Sequence, residues 1–169
     1  MRLVALLWVA ATLVSGCGYH VGGRGDLLPT TLHSIAVPAF GNNTTRYKLT
    51  EHLPGAIGRE FLSRTRYRVV SDQDQADAVL NGTVVNFLRS PTIVQNGREV
   101  GIQLSVTMNI TLVERKTGKV LYNRENMEIR QRYEMATDQV QYFDESAVAL
   151  QRLSQEVARQ VVSSVLEAF

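Results

Sequence analysis

Cysteine, histidine and net charge are all scarce in this chain, and each shortage closes off a class of function. A single cysteine, Cys17, stands among 169 residues, so no disulfide can form within the chain and a disulfide scaffold is excluded. The three histidines, His20, His33 and His52, lie far apart and in no metal-ligand spacing, so each reads as a loop or solvent-facing residue. The formal charge is +2, and removal of Arg2 with residues 1–16 leaves +1. No dense run of Lys and Arg compensates, which excludes a nucleic-acid partner and leaves any anionic partner to a local patch. Nucleophile-elbow, phosphate-loop and zinc-protease motifs are missing as well. Asp72, Asp74 and Asp77 cluster, but without the glycine turn and distant glutamate of a calcium loop, and they read as solvated loop charge. These absences predict a binding or scaffold module with no catalytic residue, no metal and no cofactor, not an enzyme.

Long apolar runs are also rare, and the one present is informative. Met1-Arg2 is a positive start, Leu3 to Val14 is almost unbroken apolar sequence, and Ser15-Gly16 are small. That is the pattern of an export signal. Twelve helical residues rise roughly 18 Å, short of the roughly 30 Å of a bilayer core, so a spanning helix does not fit. Val14-Ser15-Gly16-Cys17 then reads as a lipobox: small residues precede a thiol that can carry a thioether-linked diacylglyceryl group. The expected organisation is a lipoprotein signal peptide at 1–16, an acylated Cys17 opening a tether at 17–31, and one domain at 32–169. Each buried methylene is worth about 0.8 kcal/mol, so two or three acyl chains, palmitate among them, would hold the protein on the membrane. Gly18, rather than an aspartate, follows the cysteine, and by resemblance to enterobacterial sorting rules this favours the outer membrane.

The domain shows two helical and several strand patterns. Ser34 to Phe40 is a short apolar strand candidate, followed by a polar loop at Gly41–Thr45. Leu49, Leu53, Ile57 and Phe61 recur every four residues and predict a helix over about 50–63, with Ala56 and Leu62 broadening its face. Pro54 suggests that this helix starts later. Tyr67–Val70 is a short strand, and a longer one opens at Ala78. The clearest segment is 102–112, where Ile102, Leu104, Val106, Met108, Ile110 and Leu112 alternate with Gln103, Ser105, Thr107, Asn109 and Thr111. One face of this strand belongs in a core and the other is polar and uncharged.

Asn96-Gly97 marks a tight hairpin back to that strand's partner. Counting from this turn places Phe87 opposite Val106 and Val85 opposite Met108, but also Asn81 opposite Leu112, a mismatch that a bulge would correct. Ser90-Pro91 marks a further bulge or an edge. A turn at Lys116–Lys119 leads to a strand from Val120 to about Tyr133. A helix over about 144–168 follows, with Asp144 as N-cap and Leu150, Leu153, Val157, Val161 and Val165 as its apolar seam. The predicted fold is α+β: two helices packed on one face of a mostly antiparallel, four- to five-stranded sheet.

Several stretches carry a family likeness when taken in order. They are Cys17-Gly18-Tyr19-His20, Ile35–Phe40 with Asn42-Asn43-Thr44, Phe61-Leu62, Tyr67–Val70, Ala76–Val84 and Arg115–Leu121. Together they resemble the LptE family of outer-membrane lipoproteins. The resemblance implies two helices against a four-stranded sheet, and a plug that sits inside an LptD-type β-barrel, assists its assembly and contacts lipopolysaccharide. It also implies an outer-membrane, lipid-anchored protein whose domain lies on the periplasmic side and within the partner barrel. A barrel lumen is polar, and the Gln103–Thr111 face suits it, though an ordinary solvated sheet face has the same composition. Lipopolysaccharide offers phosphates and acyl chains, so cations beside apolar groups are candidate contacts: Arg89 and Arg98 around Ile93 and Val94, and Arg115, Lys116 and Lys119 at the second turn. Cations at turns also keep sheet ends soluble. The rival reading is a lipoprotein like CsgG or LpoB, a secretion-pore subunit or a cell-wall synthase regulator. Such domains can open with a similar Ile-Ala-Val strand and Asn-rich loop.

Overall fold

The computed structural model describes residue 29 and residues 32–45, 47–134 and 145–169. Among them, six strands and two helices follow in chain order: β1 (Ser34–Ala36), β2 (Gly41–Asn42), α1 (Tyr47–Arg64), β3 (Arg68–Val70), β4 (Ala78–Gln95), β5 (Arg98–Glu114), β6 (Val120–Glu134) and α2 (Glu145–Leu166). The strands form one mixed sheet in the order β3-β1-β4-β5-β6, with β2 also pairing with β4. The long strands β4, β5 and β6 are antiparallel, as predicted, while the short strands β1, β2 and β3 all pair in parallel. "Mostly antiparallel, four- to five-stranded" is therefore correct for the long strands and is amended to a six-stranded mixed sheet.

Both amendments have local causes. The apolar run Ser34–Phe40 breaks after Ala36 because Pro38 has no N–H to give a ladder. The chain meets β4 again at Gly41–Asn42, inside the stretch read as a loop. Helix α1 starts at Tyr47 and carries Pro54 in its interior. Proline removes one N–H to C=O bond there, but Leu49, Leu53, Ile57 and Phe61 are all fully buried, and that seam holds the turn before Pro54 in place. Ala56 joins the buried face, whereas Leu62 is 57% exposed and does not broaden it. Asp144, the expected N-cap of α2, lies outside the described residues.

One cluster unites the apolar seams of both helices with the even-numbered residues Ile102–Leu112 of β5 and with Leu80, Val84, Met127 and Ile129. Both helices thus cover one face of the sheet. The Asn-Gly turn sits as predicted, with φ of 51° at Asn96 and 74° at Gly97, the left-handed pair a two-residue hairpin requires. Phe87 pairs with Val106 as counted from it. The register then shifts between Val84 and Asn86, so that Val84, not Val85, opposes Met108 and Leu80 opposes Leu112. The bulge spares Asn81 from the core. A second irregularity falls between Pro91 and Ile93, where proline interrupts the ladder.

Candidate functional site

The sheet face opposite the helices is the surface of interest. Antiparallel partners share a face, so the register fixes its members: Asn81, Thr83, Asn86, Leu88 and Ser90 on β4, Gln103 to Thr111 at odd positions on β5, and Asn123, Glu128, Arg130 and Arg132 on β6. Among the described residues no helix packs over it, and its β5 side chains are half-buried by their neighbours alone. Its middle carries no charge and is polar except for Leu88, which is 55% exposed opposite Ser105. Thr111 Oγ1 donates to Asn123 Oδ1 at 3.0 Å, and Asn109 Oδ1 accepts the Asn126 N–H at 2.8 Å. Charge is confined to the β6 rim, where Arg130 clasps Glu128 through two bonds of 2.8 Å. That hydrogen-bonded guanidinium holds the Glu128 carboxyl below its ordinary range.

The candidate cations fall into two groups that the fold keeps apart. Arg89 pairs with Glu99 at 2.6 Å near the β4–β5 tip, and Arg98 faces Gln95 across the same turn. Ile93 and Val94 are 38% and 60% exposed on the same hairpin. Arg115, Lys116 and Lys119 occupy the β5–β6 turn at the other end of β5, roughly 50 Å away for a 17-residue strand. No single lipid headgroup reaches both. Arg115 is also engaged structurally: its Nε donates to the Ala76 carbonyl at 3.1 Å and its Nη1 lies 3.6 Å from Asp74. Cys17 lies outside the described residues.

The acidic cluster has a role that sequence reading missed. One oxygen of Asp77, Oδ2, accepts the His33 N–H at 2.9 Å, the Ser34 N–H at 3.0 Å and the Ser34 hydroxyl at 2.9 Å. Those bonds, led by the one from the His33 backbone, draw its pKa down, and they clip the start of β1 to the start of β4. Asp72 caps the short 3-10 turn at Gln73–Gln75. Ser34 paired with Asp77 across 43 positions leaves no short-range signal. A second such contact places the Phe40 ring directly over Gly82.

His33 and His52 are exposed and separate, and among the described residues no group of His, Cys, Asp or Glu is arranged to hold a metal. No described helix is long and apolar enough to cross a membrane. What the fold assembles is an open sheet face, polar and uncharged at its centre apart from Leu88, with exposed apolar side chains at the β4–β5 tip. The family described as LptE, lipopolysaccharide-assembly, matches residues 32–165, nearly the whole domain. This chain belongs to the LptE family. Comparison with curated proteins finds no match.

Solved structures share the fold at low identity. A putative lipoprotein from Caulobacter crescentus is 15% identical, with a TM-score of 0.53, over 80% of this chain and 90% of that one. A protein from Xanthomonas campestris is 13% identical with a TM-score of 0.53, over 85% and 89% of the two chains. The solution structure of uncharacterized lipoprotein B from Nitrosomonas europaea is 14% identical with a TM-score of 0.52, over 90% and 94%.

Proposed function

We propose that this chain is an outer-membrane lipoprotein, anchored by acyl chains on Cys17, that plugs an LptD-type β-barrel and assists its assembly during lipopolysaccharide transport. Membership of a lipopolysaccharide-assembly family supports the process. The observation that carries the plug is the face of β4 and β5: Asn, Gln, Ser and Thr make up its centre apart from Leu88, and charge stays at the β6 rim. A barrel interior is polar and already rich in paired groups. A plug with buried unpaired charges would incur a desolvation cost of several kcal/mol per ion, whereas hydroxyls and amides can exchange partners at a net cost near zero. The same lipoprotein carries the transported lipid at its β4–β5 tip, where Arg89 and Arg98 meet phosphates and Ile93 and Val94 meet acyl chains. Arg89 would exchange Glu99 for a phosphate there.

The test is site-specific photocrosslinking in cells. A crosslinker at Thr107, central on the open face, should yield an adduct with a co-purifying outer-membrane barrel. One at Leu62, exposed on α1, should not. Recovery of a homo-oligomer without any barrel would overturn the plug and favour the secretion-pore class. For the lipid contact, charge reversal of Arg89 and Arg98 together should weaken lipopolysaccharide binding at least ten-fold, on the basis of about 1.5 kcal/mol for a lost charge-assisted bond. Unchanged binding would remove these residues from the role.

A further inference from the structure

Between the Val85 bulge and the β4–β5 tip, the open face carries an apolar margin. Leu88 pairs with Ser105 and so turns to this face, where it is 55% exposed. Ile93 turns the same way. Gly101 is in phase with Gln103 on β5, and a Cβ there would meet Ile93 Cγ1 at 2.9 Å and Ile93 Cβ at 3.0 Å. The Ile93 side chain therefore lies over Gly101, on the open face, and is 38% exposed. Ser105 and Gly101 are four residues apart on β5, which sets Leu88 and Ile93 roughly 14 Å apart along β4, with Ser90 between them. Val120 stands at the far end of the face, opposite Val113. Among the described residues β4 is an edge strand at the level of Leu88 and Ile93, since β1 and β2 pair with it no further than Val79 and Val84.

This edge is poorly suited to strand addition. The Val84 carbonyl accepts the Asn43 N–H, so the backbone of β4 turns away from β5 at Val84. Its partner Met108 then turns away from β4, and so do Val106, Leu104 and Ile102 at alternate positions. Phe87, Arg89 and Pro91, which oppose those three, turn their backbone to the open edge, and Pro91 has no N–H to give there. A partner at this margin is met by side chains rather than by a ladder. The hydroxyls and amides of the centre exchange partners at little net gain, so they fit the face to a polar lumen without holding it there. Apolar area taken out of water does hold it. We infer that Leu88 and Ile93 anchor the plug, and that the barrel wall beside β4 turns apolar side chains into its otherwise polar lumen to receive them. Ile93 stands where this margin reaches the tip, so it borders both the wall and the transported lipid. The inference rests on the plug reading and names the side chains that hold that contact.

The test is a competition in cells. Full-length parent and variant with different affinity tags are expressed together at equal abundance, and the share of each recovered with the outer-membrane barrel is measured. Leu88→Thr with Ile93→Thr keeps good strand formers at both sites and should be under-represented on the barrel by about ten-fold or more, from the burial lost at two exposed side chains. Leu88→Thr alone, which leaves Ile93 over Gly101, should lose its share several-fold. Leu88→Met with Ile93→Val stays apolar and should hold its share within about two-fold. Leu62→Thr, the same change at a 57% exposed site on α1, should hold its share as well. Both test positions are exposed, so the guanidinium midpoint of the Thr variants should match that of the parent. With barrel recovered, equal shares of parent and Thr variants overturn the inference and leave the plug standing, and so does an equal loss in the Met and Val variant. No barrel on either tag, or the two tags recovered only with each other, overturns the plug and the inference together.

Discussion

Replacing Gly82 with alanine should be costly for one geometric reason. A Cβ at this position would lie 2.2 Å from Cε2, 2.5 Å from Cδ2 and 2.6 Å from Cζ of Phe40. Carbon atoms settle at about 3.5–4.0 Å, so the ring has to retreat by more than an ångström. It has little room to do so. Phe40 is 6% exposed, and the chain on either side is tied to β4, by β1 at Ala78–Val79 and by β2 at Thr83–Val84. Overpacking of this kind costs about 1–3 kcal/mol, and swinging the ring into water costs about as much in lost burial. Against that stands a gain of about 0.5–1 kcal/mol from removing a strand glycine. The net expectation is a loss of about 1 kcal/mol, read as a lower denaturation midpoint in guanidinium at unchanged slope.

A double-mutant cycle isolates the cause. Phe40→Val ends the side chain at Cγ, short of all three contact atoms, and is destabilising by itself. In that background Gly82→Ala should be neutral or stabilising by up to about 1 kcal/mol, giving a coupling of about 1–2 kcal/mol. An equal cost of Gly82→Ala in both backgrounds would refute the ring as the reason for glycine at 82.

Other perturbations read other parts of the frame. Asp77→Ala should cost about 1–2 kcal/mol, discounted for the partial exposure of the carboxylate, by unfolding at neutral pH. Because the folded pKa of Asp77 lies below its ordinary value, its contribution is present above the unfolded pKa and is lost as pH falls through the folded one. Titrating stability from pH 7 to below about 4 should therefore show an acid limb that Asp77→Asn flattens. Gly118 sits at φ 69° in open space, with nothing within 4 Å of where a Cβ would stand, so Gly118→Ala should cost about 1 kcal/mol from backbone strain alone and Gly118→Asn less. Deleting Val85 removes only the unpaired residue and leaves Val84 opposite Met108 and Leu80 opposite Leu112, so guanidinium unfolding should stay cooperative, whereas inserting an alanine after Val85 should cost about 5 kcal/mol or abolish cooperative unfolding if the ladder absorbs it by turning Leu80 outward. Thr107→Lys should leave the unfolding midpoint within about 0.5 kcal/mol of the parent and still reduce recovery of the barrel partner in affinity purification.

Patterns that repeat along the chain were legible in the residues alone. The α2 seam and the β5 alternation each offer five or six residues in phase, and all of them are buried in the structure. The hairpin could be counted from Asn96-Gly97, and the clash of Asn81 with Leu112 announced the bulge although not its place at Val85. The short parallel strands could not be read in this way. Two or three residues carry no period, and parallel partners lie far apart in sequence, as Ile35 does from Val69 and Ala78. Asp77 looked like loop charge for the same reason: its three donors come from His33 and Ser34. The open polar face was visible in Gln103–Thr111, but its breadth needed the register, which adds Asn81, Thr83 and Asn86. Of the candidate contacts, the two cationic turns flank the strand read at 102–112, and a strand between two turns holds them at opposite ends.

The two ladder shifts beside the middle of β5 connect that separation to the fold. On one flank the register with β4 shifts between Val84 and Asn86, opposite Met108 and Thr107. On the other flank the register with β6 shifts between Met108 and Ile110, where Asn126 takes a φ of 52°. An extra residue bends and twists the strand that carries it, and here both neighbours of β5 are bulged at the same level. Both extra residues therefore favour a bend and added twist at the level of Met108. Below it, β4 is flanked by β1 and β2 and carries Leu80 and Val84 under the helices. Above it, β4 runs on without β1 or β2 beside it and ends in the exposed Ile93 and Val94. The bulge at Val85 thus serves two ends at once: it sets the phase that buries Leu80, and it aims a long hairpin away from the end where the domain begins.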